Sequence, residues 1–560
     1  MKDKVIEILR FIKLSDKEIE SLIEVPKNSD MGDYAFPCFI LAKKMKKSPS
    51  EIAKDISSKI KKSDYFEKVG VVNAYVNFFV NRNKLAINVI NDILKQKEKY
   101  GAGNHGKDKV MIEFSQANTH KAFHVGHIRG TALGESISRI MEFSGDKVTR
   151  VNYQGDIGMH VAKWLWCYTK YHAREKIENN ESWFAKIYVE AVRRLNGAPE
   201  LEREVEEINR KLDERKDKKI LELWKETRKI CLKSLESIYQ ELDTKFDAYF
   251  FESEVEKKGK EIAHELVKKK IAKFSEGATI IDFAEHGFPE LAVWVLLRKD
   301  GTVLYSSKDI ALAERKFKEF KIDKAIYVVG SEQALHIRQL FKTLELIKFG
   351  NGNLVYVPVT LVRLPTGKMS SRTGDNVLYA DFRDELLEEA FEEINKRYPE
   401  INDKEKEKRS RAIALASIKY TMLKQDTNKV IVFDKKEALR FEGDTGPYLL
   451  YTYARARRIL RKAKKAKKDI KIKEINEHEK ALVTELSNFP EVVKHSYEQL
   501  SPNLIANYAY QLAQVFNEFY HNSKVIGSEE EGFRLALVDA TSQVIKNALY
   551  LLGIPILDEM

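Results

Sequence analysis

VMIEFSQANTHKAFHVGHIRGTALGESISRIMEFSGDKVTRVNY, running from Val110 to Tyr153, decides the architecture. It opens with a short apolar run, VMIEFS (Val110 to Ser115), of buried-strand character. A glycine-punctuated turn follows, then helical periodicity from about Gly126 to Phe143. KVTRVNY (Lys147 to Tyr153) is the next strand. Strand, helix, strand is a βαβ unit, which implies a parallel sheet wound on both faces.

Working outward, four later runs are strand candidates for the same sheet: ATIIDF (Ala278 to Phe283), LAVWVLL (Leu291 to Leu297), AIYVVG (Ala325 to Gly330) and LVYVPV (Leu354 to Val359). A Glu/Lys-rich helical insertion, about 169–273 and mostly solvated, separates them from the first unit. Upstream, helical patterns and one alternating segment, VGVVNAYVNFFV (Val69 to Val80), make a small mixed domain closed by the linker GAGNHGKDK (Gly101 to Lys109). Beyond about Asp381 amphipathic helices dominate. The expected fold is therefore α/β. A small N-terminal α/β domain (1–108) precedes a doubly wound, Rossmann-like catalytic domain (109–380), and an all-α helical bundle (381–560) follows.

The bulk numbers agree with a multidomain soluble chain. The length, 560 residues, exceeds what one core supports. Lys plus Arg number 97 and Asp plus Glu 85, a net charge of +12, which attracts a polyanion such as RNA or merely solvates helices. Cys38, Cys167 and Cys231 follow no paired spacing, so neither a disulfide framework nor a cysteine zinc site is expected. There is no membrane-spanning apolar run. MKDKVIEILRFIKLSDKE reads as a charged amphipathic helix rather than a signal peptide, and a cytoplasmic location is expected.

Two segments carry chemistry. His124, Gly126 and His127 form H-x-G-H at a helix start. The unpaired N–H groups and positive dipole end there suit phosphate. Gly126 lets a nucleotide approach the backbone, and imidazoles donate to phosphate oxygens as charge builds. Taken alone, the pair is as readily explained by packing. RLPTGKMSSRTGD (Arg363 to Asp375) is a polar loop bracketed by Gly367 and Gly374, whose cations suit a leaving pyrophosphate. Taken alone, it reads as a surface loop.

Together, HVGH after the first strand and Lys368-Met369-Ser370 after the last resemble the paired signatures of class I aminoacyl-tRNA synthetases. Ser371 departs from the pattern, since many members carry a second lysine there. Arginyl-tRNA synthetases commonly lack that lysine and have another before the first signature, where Lys121 stands. Further segments resemble that family: VNYQGDIGMH (Val151 to His160), LYSSKDIALA (Leu304 to Ala313), ALRFEGDTGPYLLYTYARA (Ala438 to Ala456) and SDMGDYAFPCFILAKKMKKSP (Ser29 to Pro49).

The resemblance implies ATP-dependent activation of arginine to an adenylate, then transfer to the terminal adenosine of tRNA(Arg). Catalysis would fall to His124, His127, Lys121 and Lys368. ATP contacts would come from His124, Gly126, His127, Lys368, Met369, Ser370 and Ser371, with His336 on the adenosine side. Glu113, Asn118, Tyr305, Asp309 and Gln333 match positions that hold arginine. A guanidinium needs such planar acceptors, although Asp309 and Gln333 also suit helix caps. Tyr448, Tyr451, Arg455 and Arg458 share a helical face at spacings of three, four and three, fit either to stack RNA bases or to line a core seam. Tyr75 and Asn77, placed on one strand face by alternation, would meet the tRNA elbow by the same resemblance. Mg²⁺ accompanies ATP, no zinc or other tight cofactor is implied, and the family default is a monomer that needs bound tRNA before it activates arginine. A synthetase for lysine, glutamate or cysteine, a nucleotidylyltransferase and a non-catalytic RNA-binding protein are the rival readings.

Overall fold

A computed structural model describes residues 1–26, 28–349, 353–365, 367–368, 378–463, 470 and 472–560. The chain forms two compact units. One comprises Met1–Tyr100, Ala456–Asn488 and Gln514–Val544, the other Gly101–Arg455, Phe489–Ala513 and Ile545–Met560.

The larger unit is built on a five-stranded sheet: β1 (Lys109–Glu113), β2 (Lys147–Gln154), β3 (Ala248–Phe251), β4 (Lys324–Gly330) and β5 (Leu354–Val359). The spatial order is β5-β4-β1-β2-β3, every pair parallel. Strand order reverses at β1, so the crevice between the carboxyl ends of β1 and β4 is where such a sheet takes its ligand. Helix α1 (Val125–Phe143) crosses from β1 to β2. It lies close on the sheet because Gly134 carries no side chain: a Cβ there would come within 2.0 Å of the Phe114 ring. Two further helices reach the crevice, α2 (Tyr305–Phe320) and α3 (Ala334–Leu346).

Three expectations are corrected. ATIIDF and LAVWVLL are not strands of the parallel sheet. They supply Ala278–Asp282 and Val293–Leu297 to a separate antiparallel sheet with Lys273–Ser275. One face of that sheet is wet: Val293 and Val295 are exposed while Trp294 and Leu296 are buried. The second concerns 169–273. Its helices, among them Glu181–Leu195, Pro199–Glu214 and Lys218–Glu241, bury a core of their own around Trp164, Phe184, Leu212 and Trp224. The same stretch also holds β3, the edge strand of the central sheet.

In the smaller unit, VGVVNAYVNFFV is a hairpin rather than one strand. Phe66–Val72 and Tyr75–Val80 pair antiparallel, and Asn73 at φ 55° makes the turn. Tyr34–Pro37 adds the third strand. Beyond Val432 the described residues hold helices and no strand.

Candidate active site

The crevice is a cavity of about 1250 Å³ at the carboxyl ends of β1 and β4. It is lined by Glu113, Asn118, His124, Gly126, His127, Tyr305, Asp309, Gln333 and His336, nine of the residues singled out from the sequence. It is also lined by Tyr153, Glu252 and Thr360, which sequence reasoning missed.

The loop from β1 into α1 is held in an unusual course. Ser115, Gln116 and His120 all have positive φ, at 78°, 46° and 59°. Non-glycine residues adopt this region only where the surroundings impose it. The loop delivers His124 to the N-cap of α1. His127, one turn on, accepts at Nδ1 from the His124 backbone N–H at 3.2 Å, so its proton sits on Nε2. The two imidazoles stack at 3.9 Å, with Phe123 stacked beyond His127 at 5.0 Å. A Cβ on Gly126 would press on the His124 ring at 3.0 Å. Burial, then the Lys121 charge, pulls His124 down to about 4, and burial with His124 and Lys121 holds His127 far below its ordinary value. Both rings are therefore neutral donors at pH 7.

Other buried histidines behave alike. His120 lies between the Thr119 and Thr227 hydroxyls at 3.0 and 2.8 Å, and His160 donates to the Gly155 carbonyl at 3.2 Å. Burial lowers each to about 3. An unfolded histidine binds its proton near pH 6.5. Below that pH the unfolded chain holds more protons, so stability is complete above about 6.5 and declines as pH falls toward the folded values. At pH 5 the His120 share of the loss is about 2 kcal/mol. The unfolding midpoint is expected to stay flat from pH 8 to 7 and drop steeply by pH 5. His120→Gln should make the drop shallower, and an unchanged midpoint at pH 5 would contradict the assignment.

The acidic side of the cavity is graded by partners. Glu113, at the end of β1, pairs with Lys316, which is 1% exposed. Burial opposes the Lys316 charge, yet Glu113 outweighs it and raises that lysine. Glu252, just past β3, pairs with Lys308 at 3.3 Å, and burial raises its carboxyl. Asp309 on α2 differs. Its Oδ2 meets His336 Nε2 at 2.6 Å, and its Oδ1 has no partner among the described residues. Asn118 lies against Gly155, where a Cβ would come within 2.1 Å of its Oδ1. Tyr305, 58% exposed, packs edge-on to His336 at 4.6 Å. Gln333 is exposed.

Several candidates stand otherwise than expected. His336 is 8% exposed with both ring nitrogens engaged, to Asp309 and Trp294, which leaves no ring nitrogen for adenosine. Lys121 does not line the cavity; its ammonium lies 5.4 Å over the Tyr188 ring, and burial lowers it. Asn77 is 2% exposed, its amide donating to the Met31 carbonyl at 2.5 Å, so it cannot meet RNA as it stands. Its strand partner in the reading, Tyr75, is half-buried against Phe39. Tyr448, Tyr451 and Arg455 are half-buried, with Arg455 bonded to the Tyr451 hydroxyl at 3.0 Å, and Arg458 is exposed. Lys368 lies on the short strand Gly367–Lys368, whereas Met369, Ser370 and Ser371 fall outside the described residues. Cys38, Cys167 and Cys231 are buried thiols, raised by burial to about 11, 12 and 12. No helix among the described residues is long and apolar enough to cross a membrane.

Comparison with known proteins bears on this geometry. Residues 89–434 match the family model for tRNA synthetases class I (R), catalytic domain. Residues 449–560 match the DALR anticodon binding domain, and 1–80 the arginyl tRNA synthetase N terminal domain. The arginine–tRNA ligase of Clostridium perfringens is 37% identical, the match covering 99% of this chain and 98% of that protein. The Clostridium acetobutylicum ligase is 36% identical over 98% of each. Among solved structures, the Thermus thermophilus arginyl-tRNA synthetase superposes with a TM-score of 0.81 at 26% identity, covering 100% of this chain and 99% of that one.

Proposed function

From the premise that this chain belongs to the arginyl-tRNA synthetase family and is an arginine–tRNA ligase, we propose how its side chains divide the work. The supporting observation is a convergence in one crevice. Neutral stacked histidines open α1, and the same lining holds a carboxylate with one oxygen unpartnered among the described residues.

Asp309 receives the arginine guanidinium, with Glu113, Tyr305 and Gln333 around it, and Asn118 meets the amino acid's polar end. ATP enters as its Mg²⁺ complex, a substrate. The arginine carboxylate attacks the α-phosphorus, the bond to the bridging oxygen breaks, and pyrophosphate leaves. His124 and His127 donate N–H bonds to the phosphate oxygens at the N-terminus of α1. Lys368 supplies positive charge toward pyrophosphate, while Lys121, outside the cavity lining, contributes only through its field. The 2′-hydroxyl of the terminal tRNA adenosine then attacks the arginyl carbonyl and AMP departs. No protein nucleophile takes part; positioning and charge stabilisation suffice. The surfaces around Tyr75 and around Tyr448, Tyr451, Arg455 and Arg458 serve tRNA(Arg), and the enzyme works as a cytoplasmic monomer.

The test is aminoacylation of tRNA with each amino acid in turn, with Mg²⁺ and ATP. Arginine alone is expected to be charged. His127→Ala should lower kcat by about 10²- to 10³-fold with the arginine KM little changed. Pyrophosphate exchange is expected only with tRNA present; efficient exchange without it would refute that dependence. Charging by another amino acid would overturn the pocket.

A further inference from the structure

His336 is buried on α3 and touches two groups of opposite hydrogen-bonding character. The Trp294 indole Nε1, from the antiparallel sheet, stands 3.2 Å from His336 Nδ1. An indole nitrogen only donates, so Nδ1 must accept and carries no proton. The proton of the neutral ring is then on Nε2, directed at Asp309 Oδ2 at 2.6 Å. A doubly protonated ring would set an N–H against the indole N–H. Three elements meet here, and their main chains are tied together. Ser306 and Ser307 at the start of α2 donate to the carbonyls of Val295 and Leu296, the two residues that follow Trp294 on its strand. Gln339 of α3 donates to the Leu291 carbonyl at 2.6 Å.

We infer that Trp294 and His336 form a positioning relay that holds Asp309 in one orientation and leaves its charge whole. The pinned tautomer occupies one carboxylate oxygen with a neutral donor and leaves the other, Oδ1, buried and without a partner among the described residues, on a side chain that lines the cavity. Glu113 and Glu252 pair with lysines, but a neutral imidazole does not cancel the Asp309 charge. Asp309 is thereby an anion of the cavity held for a cationic side chain, beside the exposed Glu332 of the same lining, and Trp294, remote in sequence, is a specificity determinant. This rests on the reading that Asp309 receives the guanidinium.

The test uses the full-length enzyme with tRNA and Mg²⁺·ATP. With histidine ring nitrogens labelled by ¹⁵N, the resonance that vanishes in His336→Gln should show the neutral Nε2–H tautomer in the wild type. His336→Ala should raise the arginine KM about 10- to 100-fold with the ATP KM unmoved. His336→Gln keeps a donor near the Nε2 position and should recover most of that loss. Trp294→Phe, which removes only the N–H and a ring edge, should raise the arginine KM about tenfold and let the tautomer mix. An Nδ1–H tautomer in the wild type would overturn the relay, as would a rise in the ATP KM instead of the arginine KM. Asp309→Asn separates the premise. If it leaves the arginine KM unchanged, the pocket reading itself is wrong. If it raises that KM while His336→Ala and Trp294→Phe do not, only the relay fails.

Discussion

Asp309→Asn is expected to lower kcat/KM for arginine by about 10²- to 10³-fold, nearly all of it in KM, with the ATP KM unchanged. The amide has the carboxylate's shape and can still accept from His336 Nε2, now at 2.6 Å from Oδ2. What it loses is the charge. Where Oδ1 stands without a partner among the described residues, an amide N–H would point at the guanidinium, donor against donor. Glu113→Gln should behave differently, although Glu113 lines the same cavity. Glu113 keeps a buried ammonium company, and its removal strands Lys316, 1% exposed, without a counter-charge. A stranded buried charge costs about 3–5 kcal/mol. Its signature is therefore lost stability, with a smaller change in arginine KM. Steady-state kinetics beside urea unfolding of both variants distinguishes the roles. Equal KM effects with unchanged stability would make Glu113 the direct ligand.

These assignments also show what the sequence could and could not carry. The strand-turn-helix of β1 and α1 is local, and periodicity together with H-x-G-H locates it. AIYVVG is buried on both faces and reads correctly as β4, and LVYVPV, a half-buried edge strand, reads correctly as β5. LAVWVLL has the same apolar look, but Val293 and Val295 face solvent, a fact set by the neighbours of its sheet. β3 escaped notice because four residues, AYFF, sit in a charged stretch. Missing it hid Glu252, a carboxylate at the carboxyl end of a parallel strand, which is the position that marks a ligand crevice. The relay and the Lys316 pair lay beyond reach for another reason. Trp294 and His336 are 42 residues apart, and Glu113 and Lys316 are 203 apart. No spacing rule joins them, since each contact exists only once α2, α3 and both sheets have packed. The alternation that put Tyr75 and Asn77 on one face was sound for a strand, and Val76, Phe78 and Val80 make the inner face, but alternation does not foretell that the chain at Met31 covers Asn77 on the other.

Arg129→Met is expected to cost about 3 kcal/mol or more of stability and to lower kcat as well. Arg129 stands two residues after His127 on α1 and is 0% exposed. Burial draws its guanidinium down to about 10, with Asp426 opposing, so it remains charged at pH 7. Its hydrogen-bonding partners are carbonyls. Nη1 donates to Thr360 and Lys429 at 2.9 and 2.8 Å, and Nη2 to Asp426 and Thr427 at 3.0 and 3.4 Å. Removing the charge relieves a burial penalty, which favours the methionine. Against that, up to four inward-facing carbonyls lose their donor at about 1–3 kcal/mol for each that stays buried, and this is the larger sum. The consequence for catalysis follows from where the carbonyls lie. Thr360 lines the cavity and precedes the strand Val362–Leu364, which pairs with Gly367–Lys368 and with Ile431–Val432. Arg129 thus fixes the first signature helix to the base of the second signature. Arg129→Lys has one nitrogen in place of two and cannot span the same carbonyls, so it should restore part of the stability and less of the rate. Urea unfolding with kcat for arginine charging reads both. Full kcat in a destabilised Arg129→Met would separate folding from catalysis and break the proposed link between the two signatures.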